Sequence, residues 1–208
     1  MCAMQGEAEV LLSKKRTAGE YKEALERFLG QFDRLNNLTN NLLLLARFEA
    51  QVQPEVEETV ELGQLLPDLA EFFMVLAQEK GVRLSVLADG KVIVKGNRDL
   101  LQRVFFNLLD NALKYTSSGG QVSINMEIMS PWVRVQVRDT GEGIPLEDLP
   151  RVFHRFYRVD KSRSRQTGGS GLGLSITHKI VELHHGRIQI HSAPEKGTTV
   201  MVDLPLHL

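Results

Sequence analysis

The chain has 208 residues, 42% of them hydrophobic, which is enough to bury a full core in one or two domains. Lys and Arg total 25 against 26 for Asp and Glu, so overall charge gives no argument for nucleic acid or an anionic membrane as a partner. The single cysteine, Cys2, excludes an intrachain disulfide framework and fits a reducing compartment. The sequence has no run of about 18 apolar residues, which predicts that this segment does not span a bilayer.

The first 50 residues predict an α-helical hairpin. They carry no strand signal, and Thr17 followed by Glu20 has the spacing of a capping box that opens the second helix. An apolar stripe at heptad spacing follows, with Thr39 as a polar position in the seam and Leu38 and Leu45 beside it. The stripe is formed by Leu25, Phe28, Phe32, Leu35 and Leu42. Two helices cannot bury it between themselves. It therefore packs either on the rest of the chain or, as we favour, on a second copy in a four-helix bundle.

A polar segment with Pro54, QVQPEVEE at 51–58, predicts a linker and a boundary near residue 53, which gives domains 1–53 and 54–208. Periodicity in the second domain predicts a strand near 59–62, a helix over 63–79, strands in VRLSVLA and KVIVKG, and a helix from Asn97 to Tyr115. It then predicts an antiparallel pair in QVSINMEIM and WVRVQVRD, a helix over 171–184 that stops at Gly186, and strands in RIQIHSA and TTVMVDLP. Helices interleaved with largely antiparallel strands indicate a two-layer α/β sandwich with the helices on one face.

The stretch FFNLLDNALKYT places two amides, Asn107 and Asn111, on one face of a helix that otherwise buries leucines. A buried amide without a partner costs about 1–3 kcal/mol, so the two are either satisfied inside the core or face a ligand. An amide oxygen suits Mg²⁺, which keeps most of its waters and is shared with substrate phosphates, and this makes Asn111 a candidate metal ligand. Lys114 and Tyr115, one turn further on, could meet phosphate oxygens.

The motif DTGEGI follows a predicted strand. Asp139 could accept a hydrogen bond from the exocyclic amine of adenine, which guanine replaces with a carbonyl. Gly141 and Gly143 would let the backbone approach a flat ligand. A strand-ending turn explains the aspartate equally well, but it does not explain the repeated glycines.

Residues 151–168 are strongly basic, with Asp160 as the single acid. The basic residues are Arg151, Arg155, Arg158, Lys161, Arg163 and Arg165. The segment ends at Gly168 and Gly169, which indicates a lid over anionic phosphates, with a solvated charged loop as the alternative. Phe153 and Phe156 are predicted to anchor its base in the core.

The stretch GGSGLGLS stands directly before the last predicted helix, where backbone N–H groups form an anion site. It lacks the lysine of a P-loop. It also lacks the acidic residue that follows a dinucleotide-binding fingerprint about 20 positions on.

Taken in order, NLLDNALKYT, DTGEGIP, FHRFYR, GGSGLGLS and EKGTTVMVDLP resemble the N, G1, F and G2 boxes and the final strand of the sensor histidine kinase ATP-binding domain. The resemblance covers about 59–206. It implies the sandwich fold shared with type II topoisomerases, mismatch-repair ATPases and heat-shock chaperone ATPases. Residues 3–50 resemble the family's dimerisation and phosphotransfer hairpin, with GEAEVLL in its first helix.

The resemblance implies ATP and Mg²⁺ as cofactors, with Asn111 as the metal ligand and with Asn107, Lys114 and Arg158 as the catalytic groups. It also implies a set of nucleotide-binding residues, in which Thr199 supports the adenine end. These are Asn107, Asn111, Lys114, Tyr115, Asp139, Gly141, Gly143, Ile144, Gly169, Gly171, Leu172, Gly173 and Thr199.

The hydrolytic relatives carry a glutamate where this chain has Asn107. An amide cannot deprotonate water, so the site is expected to hold ATP for transfer to a protein histidine. The hairpin has no histidine, since the six histidines are at 154, 178, 184, 185, 191 and 207. The expectation is that the chain starts downstream of the acceptor motif and cannot phosphorylate a hairpin histidine by itself.

The resemblance further implies a response regulator receiver domain as partner and a homodimer through the hairpin, weakened if half of the first helix is missing. It implies a cytoplasmic location as part of a membrane-anchored sensor, with no nucleic acid and no membrane contact by this segment. Two rival functions are an ATP-hydrolysing clamp of the same fold and a non-catalytic scaffold that has lost the nucleotide.

Overall fold

The computed structural model describes residues 3–50, 58–159 and 170–207. The chain divides into two compact units, Met1–Ala50 and Gln51–Leu208. Within the described residues, no helix is both long enough and apolar enough to cross a membrane.

The first unit is a pair of helices, α1 (Ala3–Leu12) and α2 (Ala18–Glu49). The predicted capping box is confirmed, because the Glu20 N–H donates to Oγ1 of Thr17 at 3.3 Å and the Thr17 N–H donates to Glu20 at 2.7 Å. An ion pair between Arg27 and Glu7, at 2.9 Å, joins the two helices. The capping box fixes the start of α2 from local sequence alone.

The apolar stripe of α2 stays largely open to solvent. Leu25, Phe32 and Leu35 are 61%, 58% and 54% exposed, and Leu42 is also exposed. Only Leu45, near the end of the stripe, is buried. A row of large exposed apolar side chains on one helix face is the kind of surface that a second helical partner covers.

In its described residues, the second unit contains three helices and two sheets. Its helices are α3 (Leu62–Lys80), α4 (Arg98–Tyr115) and α5 (Gly173–Leu183), with a short 3₁₀ turn at Leu149–Arg151. Its strands are β1 (Glu58–Glu61), β2 (Arg83–Leu87), β3 (Ile93–Gly96), β4 (Gln121–Met129), β5 (Trp132–Asp139), β6 (Arg187–Ser192) and β7 (Thr198–Pro205). The main sheet has the order β2-β4-β5-β7-β6, and only the β2–β4 pair is parallel. Strands β1 and β3 form a separate antiparallel pair. This architecture confirms the predicted two-layer α/β sandwich.

The core lies between the sheet and the helices. Strand β5 shows this most clearly, because Val133, Val135 and Val137 are buried while the residues between them are not. This row faces α4, and the buried faces of α4 and α5 include Leu109 and Ile176. Asp139 is the next residue of the same row, so the alternation of the strand carries its carboxylate to the helix side of the sheet.

A buried histidine joins the start of α4 to the end of α5. Nδ1 of His184 lies 2.7 Å from the Ile180 carbonyl oxygen, and Nε2 accepts the backbone N–H of Asn97 at 3.0 Å. Asn97 in turn caps α4, since its side chain accepts the Leu100 N–H. Burial lowers the pKa of His184, so the ring is held neutral, with Nδ1 as the donor.

The last helix ends close to the predicted stop at Gly186, but the residue with a left-handed backbone there is not Gly186. Helix α5 ends at Leu183, and the left-handed residue after it is His185, with φ of 54°. Gly186 is required for another reason, because a Cβ at this position would lie 2.6 Å from the carbonyl oxygen of Asp203.

Candidate functional site

The exposed edge of α4 carries the two amides and the lysine of the sequence prediction. Asn107, Asn111 and Lys114 are all partly buried, and their spacing of four and three residues places them along one face. Nδ2 of Asn107 donates to the Gly173 carbonyl oxygen and to Oγ1 of Thr177, both at 3.4 Å. The protein therefore satisfies the amide nitrogen and leaves the amide oxygen as the atom that could meet a ligand.

Thr177 is a site neighbour that sequence reasoning missed. It is completely buried on α5, one turn after Gly173. The sequence offers one signal for this contact, which is the spacing of four residues between Gly173 and Thr177. That spacing places both on the same face of α5, the face that meets Asn107 of α4. This contact connects the amide row to the glycine-rich turn.

Asp139 is buried at the end of β5, and its hydrogen bonds involve one oxygen. Oδ1 accepts the backbone N–H of Gly141 at 2.8 Å and that of Thr198 at 3.1 Å. Burial raises the pKa of this carboxyl group, and the two N–H donors oppose the rise. Because both bonds hold Oδ1, Oδ2 is the oxygen that could accept a hydrogen bond from a ligand.

The glycines of the 139–144 loop are needed for close packing within the protein. A Cβ on Gly141 would collide with the carbonyl group of Tyr115, and one on Gly143 would collide with that of Ala193. Gly143 also has a φ of 71°, which favours glycine. The structure thus gives a reason for both glycines that is independent of a ligand, and their contact with a nucleotide stays a prediction.

A pair of hydroxyl groups holds the far side of the same loop. Oγ of Ser192 accepts the Ile144 N–H at 2.8 Å and lies 2.8 Å from Oγ1 of Thr198. Thr199 is paired with Arg138, whose side chain lies on the sheet face opposite to Asp139. The threonine beside Asp139 is therefore Thr198. Side chains alternate between the two faces of a strand, so Thr198 shares the face of the buried Val200, two residues later, and the sequence alone could have shown this.

The base of the predicted lid is held by backbone contacts. The Phe156 N–H donates to the Gly171 carbonyl oxygen at 2.9 Å, and both residues have positive φ, 61° and 70°. The prediction that Phe156 is anchored in the core is wrong, because its side chain is 61% exposed. The buried residue is Val152, while Phe153 is half-buried. The centre of the Phe153 ring lies 5.2 Å from that of His178, and the two rings are tilted by 45°. The remaining predicted lid residues lie outside the described residues; these are Lys161, Arg163, Arg165, Gly168 and Gly169.

Asp148, Arg151 and Tyr157 form a hydrogen-bonded cluster just before Arg158, and sequence reasoning did not predict it. Oδ1 of the buried Asp148 accepts the Tyr157 hydroxyl at 2.5 Å and the Arg151 guanidinium at 3.0 Å. The Arg151 guanidinium also lies 5.0 Å from the centre of the Tyr157 ring. These contacts restrain the segment that leads into Arg158.

Lys114, Tyr115 and Arg158 form the charged end of the site. Nζ of Lys114 lies 5.9 Å from the centre of the Tyr115 ring. Burial raises the pKa of the Tyr115 hydroxyl, and the positive charge of Arg158 acts in the opposite direction. Both cations are therefore close to Tyr115, at the C-terminal end of α4.

The glycine-rich turn begins α5. Leu172 is completely buried, its N–H donates to Oγ of Ser170 at 3.3 Å, and Gly173 is the first helical residue. A Cβ on Gly173 would approach no described heavy atom closer than 3.8 Å, the distance to Cγ of Asn107. Protein packing therefore does not require glycine at this position.

Across the described ranges, no cluster of three or more His, Cys, Asp or Glu side chains could hold a metal ion. A metal at this site would rest on amide and phosphate oxygens. The half-buried Asn111 fits this requirement, since its oxygen is a hard ligand on the same face as Asn107.

Comparison with known proteins identifies the family of this chain. Residues 96–208 match the family described as histidine kinase-, DNA gyrase B-, and HSP90-like ATPase, and the chain belongs to this family. It is 40% identical over 174 residues to the sensor histidine kinase RppB of Synechocystis, covering 83% of this chain and 38% of that protein. It is 36% identical over 200 residues to the phosphate regulon sensor protein PhoR of Pseudomonas aeruginosa, covering 96% and 45%. The chain thus spans less than half the length of these two relatives.

Among solved structures, full-length ShkA in complex with AMPPNP matches with a TM-score of 0.75 at 25% identity, covering 97% of this chain and 42% of that one. The prediction of a sensor histidine kinase catalytic domain with the ATP-binding sandwich fold is confirmed by the family match and these relatives.

Proposed function

We propose that this chain binds Mg·ATP between α4, the 139–144 loop and the start of α5, and that it transfers the γ-phosphoryl group to a histidine. A response regulator aspartate would then receive the phosphoryl group. The observations that carry the proposal are two contacts of α4: Asn107 bonds to Gly173 at the start of α5, and the Tyr115 carbonyl group meets the loop that follows Asp139. They join three motifs that are far apart in sequence. The nucleotide analogue bound to ShkA supports the same use of the fold.

The adenine end is assigned to Asp139. Its other oxygen, Oδ2, would accept the exocyclic amine, while the backbone bonds to Oδ1 orient the carboxylate and oppose the rise of its pKa caused by burial. The 139–144 loop, including Gly141, Gly143 and Ile144, would line the base, with Thr198 in the place first predicted for Thr199. Guanine would present a carbonyl to Asp139 and be rejected by repulsion between two acceptors.

The phosphate end is assigned to the C-terminal half of α4 and the turn before α5. Asn107 and Lys114 would contact phosphate oxygens beside Tyr115, and Arg158 would offset charge on the transferred group. Gly169, Gly171, Leu172 and Gly173 would form the turn whose N–H groups approach the phosphates. The Asn111 oxygen would hold Mg²⁺. The metal would neutralise phosphate charge and help to orient the triphosphate for transfer of its γ-phosphoryl group.

The presence of an amide at position 107 favours transfer over hydrolysis. Asn107 cannot act as a general base, and its nitrogen is already engaged by Gly173 and Thr177. The site therefore lacks a group at this position that could activate water. The nucleophile would instead be Nε2 of a histidine, which can attack without deprotonation by the site.

The exposed stripe of α2 supports a homodimer through the hairpin. In this proposal the chain belongs to the cytoplasmic part of a membrane-anchored sensor, and its hairpin is the segment that pairs two copies. The two predicted domains, 1–53 and 54–208, would then serve pairing and nucleotide chemistry respectively.

The deciding experiment follows the γ-phosphate of labelled ATP with Mg²⁺. The chain is tested alone and then with a separate hairpin that carries an acceptor histidine upstream of the helix. We expect label to stay on ATP in the first case and to move to the added hairpin in the second. Release of free phosphate at an equal rate in both would instead support the hydrolytic clamp.

The metal assignment has its own test. Titration calorimetry with ATP is carried out with and without Mg²⁺ on the wild type and on Asn111→Ala. We expect Mg²⁺ to strengthen binding in the wild type and to lose most of this effect in the variant. An equal effect of Mg²⁺ in both proteins would contradict the role of Asn111.

A further inference from the structure

Lys80, the last residue of α3, reaches the C-terminal end of α4. Its Nζ donates to the carbonyl oxygen of Leu113 at 2.6 Å and to that of Lys114 at 2.9 Å. Lys80 lies in none of the motifs that identify the nucleotide site. It is a cation from one helix that satisfies the last carbonyl groups of another.

The last turn of α4 needs such a partner. The final four carbonyl groups of a helix have no intrahelical donor and carry the negative end of the helix dipole. Within α4, the Thr116 N–H reaches Leu113 only at 3.4 Å, and the Thr116 hydroxyl is occupied with Ala112. The ammonium of Lys80 therefore supplies the short, charge-assisted bonds that hold this turn.

The same turn positions both ends of the proposed site. It carries the Lys114 side chain, and its Tyr115 carbonyl oxygen accepts the Glu142 N–H at 3.2 Å, within the loop that follows Asp139. Gly141 packs directly on this Tyr115 carbonyl group. A shift of the turn would therefore move Lys114 and the 139–144 loop together.

We propose that Lys80 is a positioning residue for nucleotide binding, acting through the carbonyl groups of Leu113 and Lys114. This role rests on the proposed ATP-binding function. Lys80 does not touch the nucleotide. Its charge holds the end of α4 at a fixed distance from the 139–144 loop. At this distance Lys114 and Asp139 can contact the two ends of one nucleotide.

The connection between the two helices does not depend on Lys80 alone. The Gly119 N–H donates to the Gly81 carbonyl oxygen at 2.8 Å, and the Arg83 N–H donates to Gly120 at 3.0 Å. These backbone bonds join the segment after α3 to the segment after α4. A variant at position 80 should therefore keep the fold and lose only the restraint on the last turn.

The test compares Lys80→Met, Lys80→Arg and the control Lys95→Met, an exposed lysine on β3. The Kd for Mg·ADP is measured by calorimetry well below the melting temperature, where a merely less stable protein is still fully folded and binds normally. We expect Lys80→Met to weaken binding roughly five- to tenfold, since charge-assisted bonds are lost. Lys80→Arg should stay within about twofold because it keeps the charge and the donors. Lys95→Met should bind like the wild type.

Hydrogen exchange of the Glu142 amide in the nucleotide-free protein gives a second readout. Lys80→Met should exchange this amide faster, because its acceptor is the Tyr115 carbonyl group. If wild type binds and Lys80→Met binds equally well with unchanged exchange, the positioning role is overturned while the proposed function stands. If the wild type itself does not bind Mg·ADP, the proposed function fails.

Discussion

The carboxylate of Asp139 and the backbone N–H of Thr198 are joined across neighbouring strands at 3.1 Å. Together with the Gly141 N–H, at 2.8 Å, this bond holds Oδ1, and Oδ2 is the oxygen that the proposed adenine contact would use. The strand pairing thus turns a buried aspartate, a group that normally costs stability, into an oriented acceptor.

Replacement of Asp139 by Asn tests this orientation. The Asn oxygen can still accept both backbone N–H groups, so the fold should remain, but the amide nitrogen would face the adenine amine donor to donor. We expect binding of Mg·ADP to weaken by about 2 kcal/mol, roughly thirtyfold, as measured by calorimetry. Asp203→Asn is the control, since that residue is paired with Arg134 on the outer face of the sheet. Unchanged affinity in Asp139→Asn would contradict the assignment.

The two glycines at positions 141 and 173 should respond differently to alanine. A Cβ on Gly141 would stand 2.8 Å from the carbonyl carbon of Tyr115, so Gly141→Ala should lose about 1–3 kcal/mol of stability through overpacking. Gly173→Ala should be equally or more stable, because alanine favours the helix by up to about 1 kcal/mol. It should nevertheless bind Mg·ADP at least about tenfold more weakly if phosphate approaches this turn.

Urea denaturation and calorimetry on both variants check this pair of outcomes. A stable Gly173→Ala variant with wild-type affinity would show that a ligand does not approach this residue closely.

The buried His184 makes stability depend on pH. Its folded-state pKa lies below the ordinary value of about 6.5, because burial disfavours the charged ring. As pH falls through about 6.5 the unfolded chain takes up a proton before the folded one does, so the free energy of unfolding declines until the folded pKa is passed. We expect a loss of up to about 1.4 kcal/mol per pH unit in this window. The measurement is urea denaturation at pH 7.5 and 5.5.

His184→Gln is the comparison for this pH dependence. The variant should be less stable at both pH values, and its stability should change less between them. The same pH dependence in both proteins would assign it to other groups.

His185 occupies a left-handed backbone conformation with φ of 54°. A side chain costs about 1–2 kcal/mol there, and glycine recovers part of it while making the unfolded chain more flexible. His185→Gly should therefore raise the free energy of unfolding by about 0.5–1 kcal/mol. His191→Gly is the matched control in extended strand β6, where glycine should be destabilising by a similar amount. If both substitutions lower the free energy of unfolding, the proposed strain at His185 is contradicted.

The exposed stripe of α2 predicts self-association through the hairpin. Leu35 is 54% exposed, so Leu35→Glu should not unfold a monomer but should oppose burial of the stripe against a second copy. Sedimentation across a concentration series should show a dimer for wild type and a shift to monomer for the variant. Asn37→Glu carries the same charge change on another face of α2 and should behave as wild type. A wild type that stays monomeric at every concentration would contradict pairing.

Sequence reasoning predicted the order of the elements in the sandwich, the capping box at Thr17 and the antiparallel pair β4–β5. These features depend on residues within one turn or one hairpin, where periodicity and capping chemistry act directly. The motifs around Asn107, Asp139 and Gly173 were found for the same reason. Glycines and amides in unusual local positions stand out without a structure.

Tertiary structure alone decided which partners these residues meet. Asn107 contacts Gly173 and Lys80 contacts Leu113 across 66 and 33 positions, and no local pattern encodes either contact. Strand pairing placed Thr198 instead of Thr199 beside Asp139, and the side chain of Phe156 is exposed. Local sequence determines which backbone conformation each segment prefers. The neighbour of a side chain is set by how those segments pack, because packing depends on the whole set of buried surfaces.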